Sequence, residues 1–511
     1  MGIKDAFFIF FAKKDKKYKE CVLNAHISFI PISIKANIHF STHKFNNFLH
    51  FSTYKFNNFL HFSTHTFISL RLFHPFNPIF MKRTLYQNLL EWKLSPRRKP
   101  LLLQGARQVG KTWLMNEFGK CEYQVYIYLN FEQIPNLKTL FTNELSPQKI
   151  IENIGLLLGK KVNHERTLIC FDEIQNCQQA LTSLKYFQEH APEYHIIAAG
   201  SLLGVSLGKT SSFPVGKVNF LTLYPLSFAE YLDAIGESLF AEKLLLLETL
   251  PDVLHEKMLE LLKMYFFLGG MPEVVMDYIQ NKDIQAARQI QNDILKSYQR
   301  DFSKYSDHSQ TLKVTEIWQS VPFQLAKENK KFTYSEVKNN ARATTYQQSI
   351  EWLKNAGLIH LVYQIRTAKL PISGYADYSK FKIYVLDTGL LGAMLNLSSE
   401  IILKPNELFL EYNGAFVENY TCLELLKTIE QDLFYWSSER EAEVDFVFQW
   451  ENHIYPLEVK SGTNKNTKSL RSYADKFQPK LLLRTSPRNF IQSIEFINVP
   501  LYGLLGIKSL F

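Results

Sequence analysis

Two groups of residues in this 511-residue chain have the types and spacing to do chemistry. The first starts with Gly105-Ala106-Arg107-Gln108-Val109-Gly110-Lys111-Thr112, which satisfies every fixed position of G-x-x-x-x-G-K-[ST]. Its two glycines let main-chain N–H groups close on phosphate oxygens, and a helix starting near Gly110 points its positive end at the same oxygens. Lys111 is expected to reach the β- and γ-phosphates, and the Thr112 hydroxyl to ligate Mg²⁺. About sixty residues on, the apolar run Thr167-Leu168-Ile169-Cys170-Phe171 ends in Asp172-Glu173. Asp172 suits Mg²⁺ held through water, and Glu173 suits the group that orients and polarises an attacking water. The pattern predicts ATP with Mg²⁺.

The second group is Asp445, Glu458 and Lys460, spaced as D-x₁₂-E-x-K. Alternation along a strand puts Glu458 and Lys460 on one face, and a hairpin brings Asp445 to the neighbouring tip. Two carboxylates and a carbonyl suit Mg²⁺ or Mn²⁺, with the lysine positioning water or offsetting phosphoryl charge. The arrangement resembles the PD-(D/E)XK restriction-endonuclease-like fold. Glu418, on the amphipathic segment Glu411 to Leu426, matches the acidic residue of that fold's first helix. Such a site either cuts DNA or is retained for binding alone.

Several elements must position these groups. Pro100 to Leu103 reads as a buried strand before the loop, and a helix continues through Trp113-Leu114-Met115. Val125 to Glu132 reads as a second strand with a polar tip, and Ile150 to Leu158 as an amphipathic helix. The strand His195 to Ala199 is expected between the two motif strands, ending in Gly200-Ser201. Ser201 is then either a γ-phosphate sensor or a simple strand-end turn. Further on, Ile284 to Tyr298 reads as a helix. Phe332 to Val337, Thr344 to Asn355 and the β-rich stretch Leu361 to Ile365 then outline a winged helix-turn-helix. Its second helix offers Thr345, Tyr346, Gln347 and Gln348 to bases, with Arg342, Lys354 and Arg366 for phosphates. Packing against a partner is the other use of such a module.

The motifs GARQVGKT, NFE, CFDEIQ, AAGS, YPLSFAEYL (Tyr224 to Leu232) and GGMPEVV (Gly269 to Val275) occur together. The set resembles a family of bacterial and archaeal AAA-type ATPases that carry a C-terminal domain of unknown function. The resemblance implies an α/β fold: an αβα P-loop core, a helical lid, and Pro272 as either an adenine contact or a helix-breaking turn. It also implies a possible homo-oligomer with a trans-acting arginine after the sensor strand. This chain has Gly216-Lys217 there, so Arg107 and Arg300 are weaker substitutes.

The expected division is a leader at 1–80, an ATPase core at 81–235 and a lid at 236–310. A winged helix at 311–375 and a nuclease-like domain at 376–511 complete it. The leader holds 10 Lys+Arg against 3 Asp+Glu, leaving 48 against 46 in the rest, so charge alone names no acidic partner. It also carries an 11-residue repeat, HFSTHKFNNFL then HFSTYKFNNFL, and Met81 is expected to be the true start. The apolar run Ala6 to Ala12 is too short for a span, and lysines following it are in the wrong order for a secretory signal. Five scattered cysteines show no metal-type pairing, which fits a reducing cytoplasm. DNA is the expected macromolecular partner, and no membrane is expected.

Overall fold

The structure is a computed structural model. It describes residues 10–11 and 81–511, apart from 143, 160, 201–212, 306–307, 328–329, 399–412, 439–441 and 463–466. The expected leader and its repeat therefore lie outside the described residues, save two positions.

The first sheet contains β1 (Phe10–Phe11), β2 (Leu101–Gln104), β3 (Val125–Asn130), β4 (Thr167–Asp172), β5 (His195–Ala199) and β6 (Asn219–Thr222), in the order β1-β3-β4-β5-β2-β6. All pairs from β3 to β6 are parallel, and β1 is antiparallel to β3. Alternation sorts the side chains into two cores. Leu101, Leu103, Leu168, Cys170, Ile197 and Ala199 share one core with residues of α1 (Leu85–Leu94) and α2 (Lys111–Glu122). Leu102, Ile169, Phe171, Ile196 and Ala198 share the other with α3 (Pro147–Leu158) and α4 (Gln178–His190). This is the αβα sandwich of a P-loop fold, with β5 inserted between the two motif strands.

Seven helices follow: α5 (Phe228–Ala234), α6 (Ser238–Lys243), α7 (Asp252–Leu268), α8 (Pro272–Asn281), α9 (Ile284–Tyr305), α10 (His308–Leu325) and α11 (Ala343–Asn355). Helix α9 runs a further seven residues past the expected end at Tyr298. Between α10 and α11, Phe332–Val337 makes only a 3₁₀ turn at Tyr334–Glu336, because the Phe332 N–H is drawn to Phe381 O at 2.9 Å.

The second sheet begins with β7 (Ile359–Ile365) and β8 (Ala376–Val385), an antiparallel pair. After α12 (Thr388–Met394) and α13 (Asn413–Ile429) come β9 (Phe434–Ser437), β10 (Glu443–Trp450), β11 (His453–Val459), α14 (Lys468–Phe477), β12 (Leu483–Ser486), β13 (Ile491–Gln492) and β14 (Ile497–Pro500). The order is β13-β14-β12-β11-β10-β9-β7-β8, so the expected division at 375/376 runs between two strands of one sheet. Val444 to Phe448 does not alternate simply: a bulge lies between Val444 and Val447, where Asp445 sits.

The two halves meet at a knot of main chain. Gly270 N–H donates to Asp387 Oδ2 at 2.6 Å, and Gly270 O accepts from Leu226 N at 2.7 Å. A Cβ on Gly270 would stand 2.2 Å from Leu226 O. Gly270→Ala is therefore expected to cost roughly 3 kcal/mol. Gly462→Ala, where a Cβ meets nothing within 4 Å, should be near neutral. Urea unfolding of the two variants checks this, and equal midpoints would refute the packing argument.

Candidate functional site

The loop from Gly105 to Thr112 joins β2 to α2, and its conformation requires its glycines. Gly105 has φ 141° and Gly110 has φ 95°, and a Cβ on Gly105 would lie 2.2 Å from Leu223 O. Lys111 is 7% exposed, and its Nζ donates to Gly105 O at 2.8 Å and Ala106 O at 2.6 Å. Burial pushes this ammonium down to about 8, against the pull of Glu173 and Asp172.

Both expected metal ligands converge. Thr112 Oγ1 donates to Asp172 Oδ2 at 2.8 Å, from the first turn of α2 to the tip of β4. Tyr128 OH donates to the same oxygen at 2.6 Å, and Asn130 Nδ2 to Tyr128 OH at 3.1 Å. The polar tip of β3 thus serves to hold Asp172. Glu173 has φ 51° and accepts a hydrogen bond from Gln175 Nε2. Burial raises its carboxyl, Gln175 opposes this, and Asp172 adds to it.

The remaining loop residues are gripped from outside. Arg83 donates to Val109 O at 2.8 Å and to Tyr224 O at 2.5 Å, and pairs with buried Glu230 at 3.3 Å. Glu230 closes a capping box with Ser227 at the start of α5. Burial alone would raise the Glu230 carboxyl, but Arg83 and the N–H groups of Ser227 and Thr84 hold it below its ordinary value. Arg107 pairs with Asp301 at 2.5 Å, and its carbonyl accepts from Tyr298 OH at 2.9 Å, both on α9. Ala106 is faced by Gly357, whose Cβ would come within 3.2 Å of Ala106 N. Gln108 is exposed with φ 63°. Pro272 packs beside Gly110, with Cγ 3.7 Å from where a Gly110 Cβ would stand. Lys217 pairs with Glu189 at 3.0 Å, Arg300 is exposed, and Ser201 lies outside the described residues.

Arg83, Tyr128, Tyr298 and Asp301 were not among the sequence candidates. Arg83 stands alone in Met81-Lys82-Arg83-Thr84, with no local pattern to mark it. A cavity of about 1060 Å³ opens beside Arg83 and Tyr224 and includes no phosphate-loop residue.

In the C-terminal half, Asp445 and Glu458 each lie one residue beyond the paired Phe446 and Leu457, on facing strands of the β10–β11 hairpin. Asp445 Oδ2 accepts from Val459 N at 2.8 Å, and Lys460 Nζ lies 2.9 Å from Glu458 Oε1. Two lysines the sequence did not flag enter the group. Lys330 Nζ pairs with Glu418 Oε1. Lys382, 1% exposed on β8, lies 2.6 Å from Glu443, 3.6 Å from Glu418 and 3.7 Å from Asp445. Burial and Glu418 push Asp445 up to about 7, while Lys330 and Lys382 outweigh burial and hold Glu418 down to about 2. Among the described residues no cluster of three or more His, Cys, Asp or Glu side chains is arranged to hold a metal ion.

Residues 97–232 match the family model described as an AAA domain. Residues 259–401 and 413–502 match two domains of unknown function, DUF8612 and DUF4143. None of the curated proteins matches the chain. Among solved structures, the chain is similar to the Walker-type ATPase of Pyrococcus abyssi at 14% identity and TM-score 0.41, covering 62% of this chain and 96% of that one. It is also similar to the ORC1 protein of Aeropyrum pernix in complex with DNA, at 12% identity and TM-score 0.27 over 61% and 90% of the two chains. Cdc6p of Pyrobaculum aerophilum follows at 11% and 0.25, over 63% and 96%. These likenesses are distant, and the assignment rests on the family model and the loop itself. Residues 97–232 match an AAA domain and carry the P-loop and its parallel sheet. No helix among the described residues is long and apolar enough to cross a membrane.

The depressed Lys111 gives a pH prediction. A triphosphate binds the protonated lysine, so above pH about 8 binding must take up a proton. ATP affinity should be flat below that pH and fall roughly tenfold per unit above it. Calorimetry between pH 7 and 10 tests this, and an affinity unchanged across the range would refute the role of Lys111.

Proposed function

We propose that this chain is an ATP-hydrolysing switch of the AAA type whose nucleotide state controls a DNA-directed C-terminal half. The observation that carries the first part is the 2.8 Å hydrogen bond between Thr112 and Asp172. It brings together the two side chains that hold Mg²⁺, next to a buried lysine on the phosphate path. The site fits the group: Gly105 leaves no room for a side chain, and Asp172 is met by two neutral hydroxyls, Thr112 and Tyr128. Bound Mg²⁺ would neutralise phosphoryl charge there.

The chain's own residues divide the work. Main-chain N–H groups of the loop bind phosphate, and Lys111 turns from the Gly105 and Ala106 carbonyls to the β- and γ-phosphates. Glu173 accepts the proton of the attacking water, and burial raises its carboxyl toward the range a general base needs. Pro272, beside Gly110, supports the adenine contact, and Ser201 stays a candidate sensor.

For the C-terminal half, we read the 3₁₀ turn, α11 and the β7–β8 hairpin as a winged helix. Arg342, Thr345, Gln347 and Gln348 are exposed at the start of α11, as a groove-reading helix needs, whereas Tyr346, also expected to face bases, is buried with its OH donating to Glu316. Lys354 and Arg366 are exposed beyond it. Asp445 and Glu458 on facing strands of the β10–β11 hairpin, with Glu418 on α13, support the restriction-endonuclease-like reading, either as a nuclease or as a binding module. A homo-oligomer, supplying an arginine in trans, remains part of this reading.

Lys111→Ala should abolish nucleotide binding. Glu173→Gln should bind ATP yet lose roughly 10²–10⁴-fold in turnover. An ATPase assay with and without duplex DNA tests the switch, with stimulation expected and lost in an R342A/Q347A/Q348A triple variant. Full turnover by Glu173→Gln, or DNA without effect on wild-type turnover, would sink the respective half of the reading.

A further inference from the structure

The sequence pattern assigns a divalent cation to the carboxylates of the C-terminal half, and the side chains present do not fit one. Three carboxylates, Glu418, Glu443 and Asp445, face three ammonium groups. Lys330 pairs with Glu418, Lys331 lies 3.6 Å from Glu443, and Lys382 reaches all three carboxylates. Beside them, Glu458 Oε1 faces Lys460 Nζ, while its buried Oε2 has no hydrogen-bond partner among the described residues. Counted with every group ionised, the three carboxylates and three ammonium groups cancel, so a divalent ion would bring two uncompensated charges into the cluster. Lys382 is also held from behind, with Nζ 5.3 Å from the centre of the Tyr435 ring. Tyr384 OH donates to Glu418 Oε2 at 3.1 Å, taking a second lone-pair direction on that carboxylate.

We propose that the Lys382 ammonium takes the place of a divalent cation beside Asp445 and Glu418, the two pattern carboxylates it reaches, so that the C-terminal half binds no metal and cleaves no phosphodiester. It acts by binding. The cluster instead ties together four parts of the chain: the segment after α10, strand β8, helix α13 and strand β10. The bulge in β10 matters here, because it places Asp445 where Lys382 can reach it. This inference rests on the endonuclease-like reading of the C-terminal half and not on ATP turnover.

Mn²⁺ binding without nucleotide, followed by electron paramagnetic resonance, tests it. Wild-type protein should hold no Mn²⁺ that Asp445→Asn removes, and plasmid DNA with Mn²⁺ should stay intact. Lys382→Met should gain one equivalent of bound Mn²⁺, lost again in K382M/D445N. Should Lys382→Met fail to fold by circular dichroism, Lys382→Gln carries the same readout. Wild-type Mn²⁺ binding lost in Asp445→Asn but kept in Asp172→Asn would overturn the proposal. So would plasmid nicking abolished by Glu458→Ala, or a folded Lys382 variant that gains no ion. A failed ATPase assay touches none of these outcomes.

Discussion

A loop that turns its N–H groups toward an anion must place its carbonyl oxygens somewhere else. Here side chains from three parts of the chain take them. Lys111 takes Gly105 and Ala106, Tyr298 takes Arg107, and Arg83 takes Val109. Gly110 O goes to Leu114 N in the first turn of α2. The amides are therefore left to serve phosphate while Arg83, α2 and α9 hold the carbonyls of Gly105, Ala106, Arg107, Val109 and Gly110. Phosphate that draws Lys111 away removes two of those partners at once, so the loop cannot fill without its surroundings responding.

That response has a physical route in our reading. Helix α9 holds the loop through Tyr298 and Asp301, and farther along it Gln291 donates to Phe267 O and Leu268 O. Arg288, on the same helix, donates to Gly389 O. Asp387 caps α12 through Leu390 N at 2.9 Å while accepting from Gly270 N at 2.6 Å. The turn beside Pro272 and the start of α12 thus share one buried carboxylate, which burial holds above its ordinary value. Contacts this close, with no room for a Cβ at Gly269, Gly270 or Gly389, move as a unit.

The parts legible in the sequence are those written in short-range spacing. GARQVGKT encodes its own glycine turn, and CFDE carries the strand and its acidic tip within a few residues. The apolar runs before Gly105 and Asp172 foretold buried strands of the first sheet. What escaped were partnerships across long separations. Arg83 meets Glu230 across 147 residues, and Lys330 meets Glu418 across 88. Nothing in the neighbourhood of Lys382 separates it from any lysine on an exposed strand. The β10 bulge adds one residue relative to β9, and periodicity within β10 alone cannot show that.

The two acidic sites of the chain differ in the chemistry of what faces them. Asp172 is met by the hydroxyls of Thr112 and Tyr128, neutral donors that orient the carboxylate without cancelling its charge. Such a carboxylate gains most from a hydrated cation and a polyanion arriving together, which is how a nucleotide–metal complex binds. Glu418, Glu443 and Asp445 are met by ammonium groups, which cancel charge and remove the reason for a cation to enter. Two sets of acidic residues that look alike as sequence patterns therefore serve opposite ends. In our reading one is held ready for an exchangeable ion, and the other is closed by ions the chain itself supplies.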